Sequence, residues 1–103
     1  MQDIKFKVQL EIHKKGEMIF FSQLDLVKIF ERALRRTNLP LYFTKGYNPH
    51  LKMSFDHALK LGVEGSLNVT FYFSEMVSPS ALKTQLQNQL PSGLEILNCT
   101  SLP

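Results

Sequence analysis

Ile4, Phe6, Val8, Leu10 and Ile12 alternate with Lys5, Lys7, Gln9, Glu11 and His13. A strict period of two over this length predicts a strand with one buried and one wet face. Lys14-Lys15-Gly16-Glu17 then reads as a turn, and Met18-Ile19-Phe20-Phe21 as a short apolar return. From Ser22 the period becomes helical: Leu26, Phe30, Ala33, Leu34 and Thr37 share a face, with Val27 and Ile29 at its edge. Ser22 is a good N-cap, Asp25 stands three residues on as in a capping box, and Phe21 and Leu26 have staple spacing. Asn38-Leu39-Pro40 stops the helix, since Asn accepts a left-handed cap and Pro cannot continue.

Leu41-Tyr42-Phe43-Thr44 is a short β-prone run, and Lys45-Gly46-Tyr47-Asn48-Pro49-His50 is a loop. Leu51, Met53 and Phe55 alternate again, whereas residues 56–65 carry no clear period. Leu67, Val69, Phe71 and Phe73 alternate with Asn68, Thr70 and Tyr72, predicting another strand. Ser78-Pro79 opens a second helix with Val77 stapled to Leu82, an apolar stripe of Leu82, Leu86 and Leu90, and a stop at Pro91-Ser92-Gly93. Leu94 to Cys99 reads as a last strand. The order β-α-β-β-α-β predicts an α+β, ferredoxin-like split βαβ sandwich, an antiparallel sheet with two helices on one face. Met18, Met53 and Met76 are expected to fill the core.

Length and composition agree with this pattern. The chain has 103 residues, 44% hydrophobic and 20% charged, which predicts a single globular domain over residues 1–103. No apolar run approaches the ~20 residues of a membrane span, and the first residues hold no apolar signal core. Cys99 is the only cysteine, so neither an internal disulfide nor a cysteine zinc site can form; a reduced, cytoplasmic setting fits.

Charge adds the first functional clue. Between Lys28 and Lys52 stand six cations, Lys28, Arg32, Arg35, Arg36, Lys45 and Lys52, against one acid, Glu31. The rest of the chain is net negative. A basic segment in an acidic frame points to an anionic partner, most often a phosphate backbone, although a merely solvated face has the same composition. Lys28, Arg32 and Arg35 follow one helix stripe, with Glu31 positioned to pair with Arg35. In the loop, Tyr47 can stack on a base, Lys45 can meet a phosphate, and Asn48 and His50 can hydrogen-bond a base edge or ribose. A tight turn built on Gly46 and Pro49, with Asn48 capping its own backbone, is the competing explanation.

Lys45-Gly46-Tyr47 echoes the start of an RNA-recognition-motif signature, but Asn48-Pro49 breaks the strand that should follow. His50, Asp56 and His57 match no common metal spacing, so no metal site is expected. Ser22 and Asp25 are explained by capping, and no phosphate-loop or dinucleotide glycine pattern occurs. No catalytic residue and no cofactor is expected; an RNA-cleaving or modifying role for His50 with Lys45 as helper stays an alternative.

The run from Lys15 to Leu26, then Phe30-Glu31-Arg32-Ala33-Leu34-Arg35-Arg36, Leu39-Pro40, Lys45-Gly46-Tyr47-Asn48-Pro49-His50, Ser54-Phe55 and Ala58-Leu59-Lys60-Leu61-Gly62-Val63-Glu64, resembles a bacterial radical-SAM-linked family of unknown function. Gln23 stands where that family usually carries His, and Leu51 where it usually carries Pro. The resemblance implies a radical SAM protein as partner, and a chain that is either complete or the N-terminal half of a longer family domain. The resulting expectation is a non-catalytic accessory domain binding RNA or another phosphate-bearing ligand through Lys28, Arg32, Arg35, Arg36, Lys45, Tyr47, Asn48, His50 and Lys52. The alternative is a module that docks the radical SAM partner through Tyr42, Tyr72 and the exposed side of the Leu67–Phe73 strand, without touching RNA.

Overall fold

The computed structural model describes residues 5–56 and 59–103. Ile4 of the first predicted strand and His57 of the weighed metal set lie outside them. Four strands, β1 (Phe6–Lys14), β2 (Met53–Phe55), β3 (Gly65–Phe73) and β4 (Leu94–Leu102), form one sheet in the order β2-β3-β1-β4, every neighbour antiparallel. Helix α1 (Gln23–Arg35) follows β1, and helix α2 (Pro79–Gln87) follows β3. The molecule is thus α+β, with four antiparallel strands and two helices.

The alternation of β1 and β3 does what its period requires. Val8, Leu10, Ile12, Leu67, Val69, Phe71 and Phe73 are buried, joined by Leu26, Phe30, Ala33 and Leu34 of α1 and Leu82 and Leu86 of α2 in one core. Both helices therefore cover the same sheet face. Phe30 is the central plug, edge-on to Phe71 at 5.6 Å and stacked on Phe55 at 6.2 Å between centroids. The other face is polar and pairs with itself: Gln9 Nε2 donates to Asp56 at 3.0 Å, Asn98 Nδ2 to Glu11 at 2.7 Å, and His13 Nε2 lies 3.1 Å from Glu64.

Helix α1 starts as the sequence predicts. The Ser22 hydroxyl accepts from Asp25 N–H, and the Asp25 carboxylate accepts from both Ser22 N–H and Oγ. Those backbone and hydroxyl donors hold the Asp25 carboxyl below its ordinary value. Helix α2 starts on a simpler cap: the Ser78 hydroxyl accepts from Ala81 N–H, and Pro79 opens the first turn.

Several local expectations are corrected. The segment after β1 is a 3₁₀ helix, Gly16–Phe20, not an extended return. Lys14 belongs to β1: parity with Ile12 carries it into the core, so the predicted turn begins one residue later. Among the described residues no non-glycine residue has positive φ, so Asn38 is no left-handed cap; α1 instead closes with Arg36 and Thr37 N–H bonds to Ala33 and Leu34 carbonyls and a 2.6 Å bond from the Thr37 hydroxyl. Thr37 accordingly lies beyond the helix. Helix α2 stops at Gln87, three residues short of Leu90, where the backbone tightens into turns with Gln89 N–H bonded to Leu86 O at 2.9 Å and Leu90 N–H to Gln87 O at 3.3 Å; the Gln87 side-chain amide bonds Leu94 O and Ile96 N–H at 3.0 and 2.7 Å. Strand β4 runs on past Cys99 through a bulge that leaves Leu97 unpaired between Ile96 and Asn98. Met18 and Met53 join the core, but Met76 is 81% exposed beside the buried Val77.

Candidate functional site

The candidate site rests on how α1 displays its cations. With 3.6 residues per turn, Lys28, Arg32, Arg35 and Arg36 fall at about 0°, 40°, −20° and 80° around the axis. The four form a ridge with Arg32 in the middle. On one flank, Lys28, Arg32 and Arg35 line a groove of about 540 Å³ together with Glu31 and His50, over the apolar side chains of Leu24 and Val27. On the other flank, Arg32 and Arg36 edge a second cleft.

The loop reaches the first groove through a hairpin of its own. Leu41 bridges to Phe73 and Phe43 to Leu51, and Lys52 N–H donates to Tyr42 O at 3.1 Å. Thr44 closes the tip: its N–H donates to His50 O at 2.7 Å, and its hydroxyl accepts from His50 N–H at 3.1 Å. That closure falls to Thr44, not to Asn48. Gly46, at φ +125°, makes the sharp bend inside it. Lys45, Tyr47 and Asn48 lie at the tip, with Tyr47 fully exposed. An exposed phenol on a closed loop has no packing role, so it stands ready to stack on a planar group.

Phe43 ties the loop to the helix. The Arg35 guanidinium lies 5.1 Å from its ring centroid, and the same guanidinium is 3.5 Å from Glu31. Arg35 is thereby held over the Phe43 ring of the hairpin. Lys28, Arg32 and Arg36 make no ion pair among the described residues. A phosphate oxygen entering the groove would therefore meet Lys28 and Arg32 with no ion pair to break, and Arg35 still held by the Glu31 carboxylate that also lines the groove.

Lys52 does not join this site. Its Nζ lies 5.0 Å from the Tyr72 centroid, with Lys7 on the same ring at 6.0 Å, on the polar sheet face that the helices leave uncovered. The same face carries Glu11, Asp56 and Glu64, bonded to Asn98, Gln9 and His13, and Tyr72, half-buried, is bound through its hydroxyl to Ser54 at 3.2 Å. The sequence reading missed Phe43 as the platform under Arg35, because the two are brought together only by the chain reversal at Pro40. It also missed the exposure of the apolar residues Phe20, Leu24 and Leu61; Gly62 N–H donates to Ile19 O at 2.7 Å, which holds the turn after Leu61 against the 3₁₀ helix. Among the described residues, no three His, Cys, Asp or Glu side chains cluster as metal ligands, and no helix is long and apolar enough to cross a membrane.

Residues 7–103 match the model of a family described as uncharacterized protein conserved in bacteria (DUF2344). The chain belongs to that family. No curated protein and no solved structure matches it. The family description carries no activity, so the geometry of the α1 groove is the ground for a functional reading.

Proposed function

We propose that the domain is a non-catalytic, cytoplasmic accessory module that binds RNA, and that it assists a radical SAM enzyme. The observation that carries RNA binding is the shared groove of Lys28, Arg32, Arg35 and His50, beside the Lys45–His50 tip with its exposed Tyr47. Lys28 and Arg32, which make no ion pair among the described residues, supply affinity for a phosphate backbone, and the exposed Tyr47 ring supplies stacking. The radical SAM association rests on the sequence resemblance alone. We also read the architecture as the ferredoxin-like split βαβ fold, supported by the strand order, the all-antiparallel pairing and a helix after β1 and after β3.

The test is a salt titration of binding to a single-stranded oligoribonucleotide. Affinity should fall linearly on a log–log plot as salt rises. No binding at low ionic strength, or affinity indifferent to salt, overturns the reading. A second reading, a docking module that contacts only a protein, is favoured by the exposed Phe20, Leu24 and Leu61 rather than by the self-paired sheet face. Under that reading, Leu24→Asp abolishes co-purification with the radical SAM partner after nuclease treatment, and Arg35→Ala does not.

A further inference from the structure

The second cleft carries an inference that deepens the RNA reading and rests on it. It has a volume of about 360 Å³ and lies between α1 and the turn that leads from α2 to β4. Ile29, Ala33 and Leu90 give it apolar walls, and the half-covered ring of Phe21 stands at its side. Arg32 and Arg36, one helical turn apart, stand on its helix side; Gln89 brings an amide from the opposite wall. Apolar walls beside an aromatic ring, with guanidinium groups and a single amide, suit a planar heteroaromatic ring attached to phosphate. A plain acyl chain would leave both guanidiniums idle, and inorganic phosphate would leave the apolar walls empty.

We infer that this cleft receives one unstacked base of single-stranded RNA, with Arg32 and Arg36 holding the phosphates that flank it. Arg32 borders both depressions, so a strand lying along the Lys28–Arg35 groove passes the cleft mouth without leaving the basic ridge. A base paired in a duplex cannot enter, because its face and its edge are already engaged. The module therefore selects single strands over double-stranded RNA, which the groove alone would not do.

The test compares a ten-nucleotide single strand with the blunt duplex of the same sequence, at one low salt concentration, on the intact chain. The single strand should bind about tenfold tighter, within what stacking of one base supplies. Ring-current shifts should appear on the Ile29, Ala33 and Leu90 methyl NMR signals with the strand and not with the duplex. Gln89→Trp, which plugs the cleft from its outer wall, should lose that preference while keeping duplex affinity. Equal affinity for strand and duplex with unmoved methyl signals overturns the cleft inference and leaves the groove reading intact. Methyl shifts from free adenosine monophosphate at the same concentration as the strand overturn the strand assignment. Absence of binding to either nucleic acid at low salt overturns both readings.

Discussion

Lys14 is the residue at which sequence pattern and chemistry conflict most directly. Its parity in β1 points it into the core, where it is 1% exposed, and its ammonium has one long bond, 3.4 Å to the Phe21 carbonyl. Desolvation lowers its pKa from the ordinary 10.5. A base whose pKa falls on folding binds fewer protons folded than unfolded, so stability rises with pH between the lowered value and 10.5. Below that window the fold carries the whole of that desolvation cost. Lys14→Met removes the penalty and should raise stability by about 1 kcal/mol near neutral pH, or about 4–8 °C in melting temperature. The gap between variant and parent should close as pH approaches 10. Thermal unfolding followed by circular dichroism at pH 7 and pH 9.5 measures both; a variant less stable at pH 7 would mean that the bond to Phe21 outweighs the desolvation. Cys99 shows the same physics in a thiol: burial raises its pKa, outweighing the opposing pull of Lys83.

At the level of elements, the strands and both helix starts were legible in the sequence because each is a local device. Period two gives β1 and β3, and Ser22–Asp25 and Ser78–Pro79 set the helix starts. What was not legible depends on distant partners: the 3₁₀ helix after β1, the Gln87 side chain bonded to β4 and the bulge at Leu97. So it was with the site, where the charge of the α1 stripe was readable but its neighbours Phe43 and Gln89 were not. Gly93 shows how such joints are made. Its φ of +101° suits glycine, its carbonyl accepts from Lys15 N–H at 2.9 Å, and a Cβ there would sit 2.7 Å from both Lys15 O and Met18 Cγ. The turn before β4 is thus clamped to the 3₁₀ helix, which bounds the Arg32–Arg36 cleft through Met18. Gly93→Ala should cost about 2–3 kcal/mol from combined backbone strain and overlap. Gly16→Ala, also at positive φ but facing open space, should cost only about 1 kcal/mol. Urea unfolding of the two variants separates them; equal losses would mean that backbone strain alone sets the cost.

Across the whole molecule, the two faces divide the charge. The uncovered sheet face mixes Lys7 and Lys52 with Glu11, Asp56 and Glu64, and the side chains there bond one another. The α1 side holds Lys28, Arg32 and Arg36 without an ion pair among the described residues, and Arg35 shared between Glu31 and the Phe43 ring. An RNA strand bound on the α1 side neutralises those cations and leaves Lys52 untouched. Each phosphate contact on a single strand contributes about 0.7 to the slope of log affinity against log salt. Lys28→Ala and Arg32→Ala should therefore each shallow the slope by about 0.7, and together by about 1.4, with a uniform loss across RNA sequences. Lys52→Ala should change neither slope nor affinity, although it carries the same charge and lies just beyond the loop in sequence. Fluorescence anisotropy at four or five salt concentrations gives every slope. If Lys52→Ala shallows it as much as the helix substitutions do, the strand crosses the sheet instead, and the division of charge between the faces is not what directs binding.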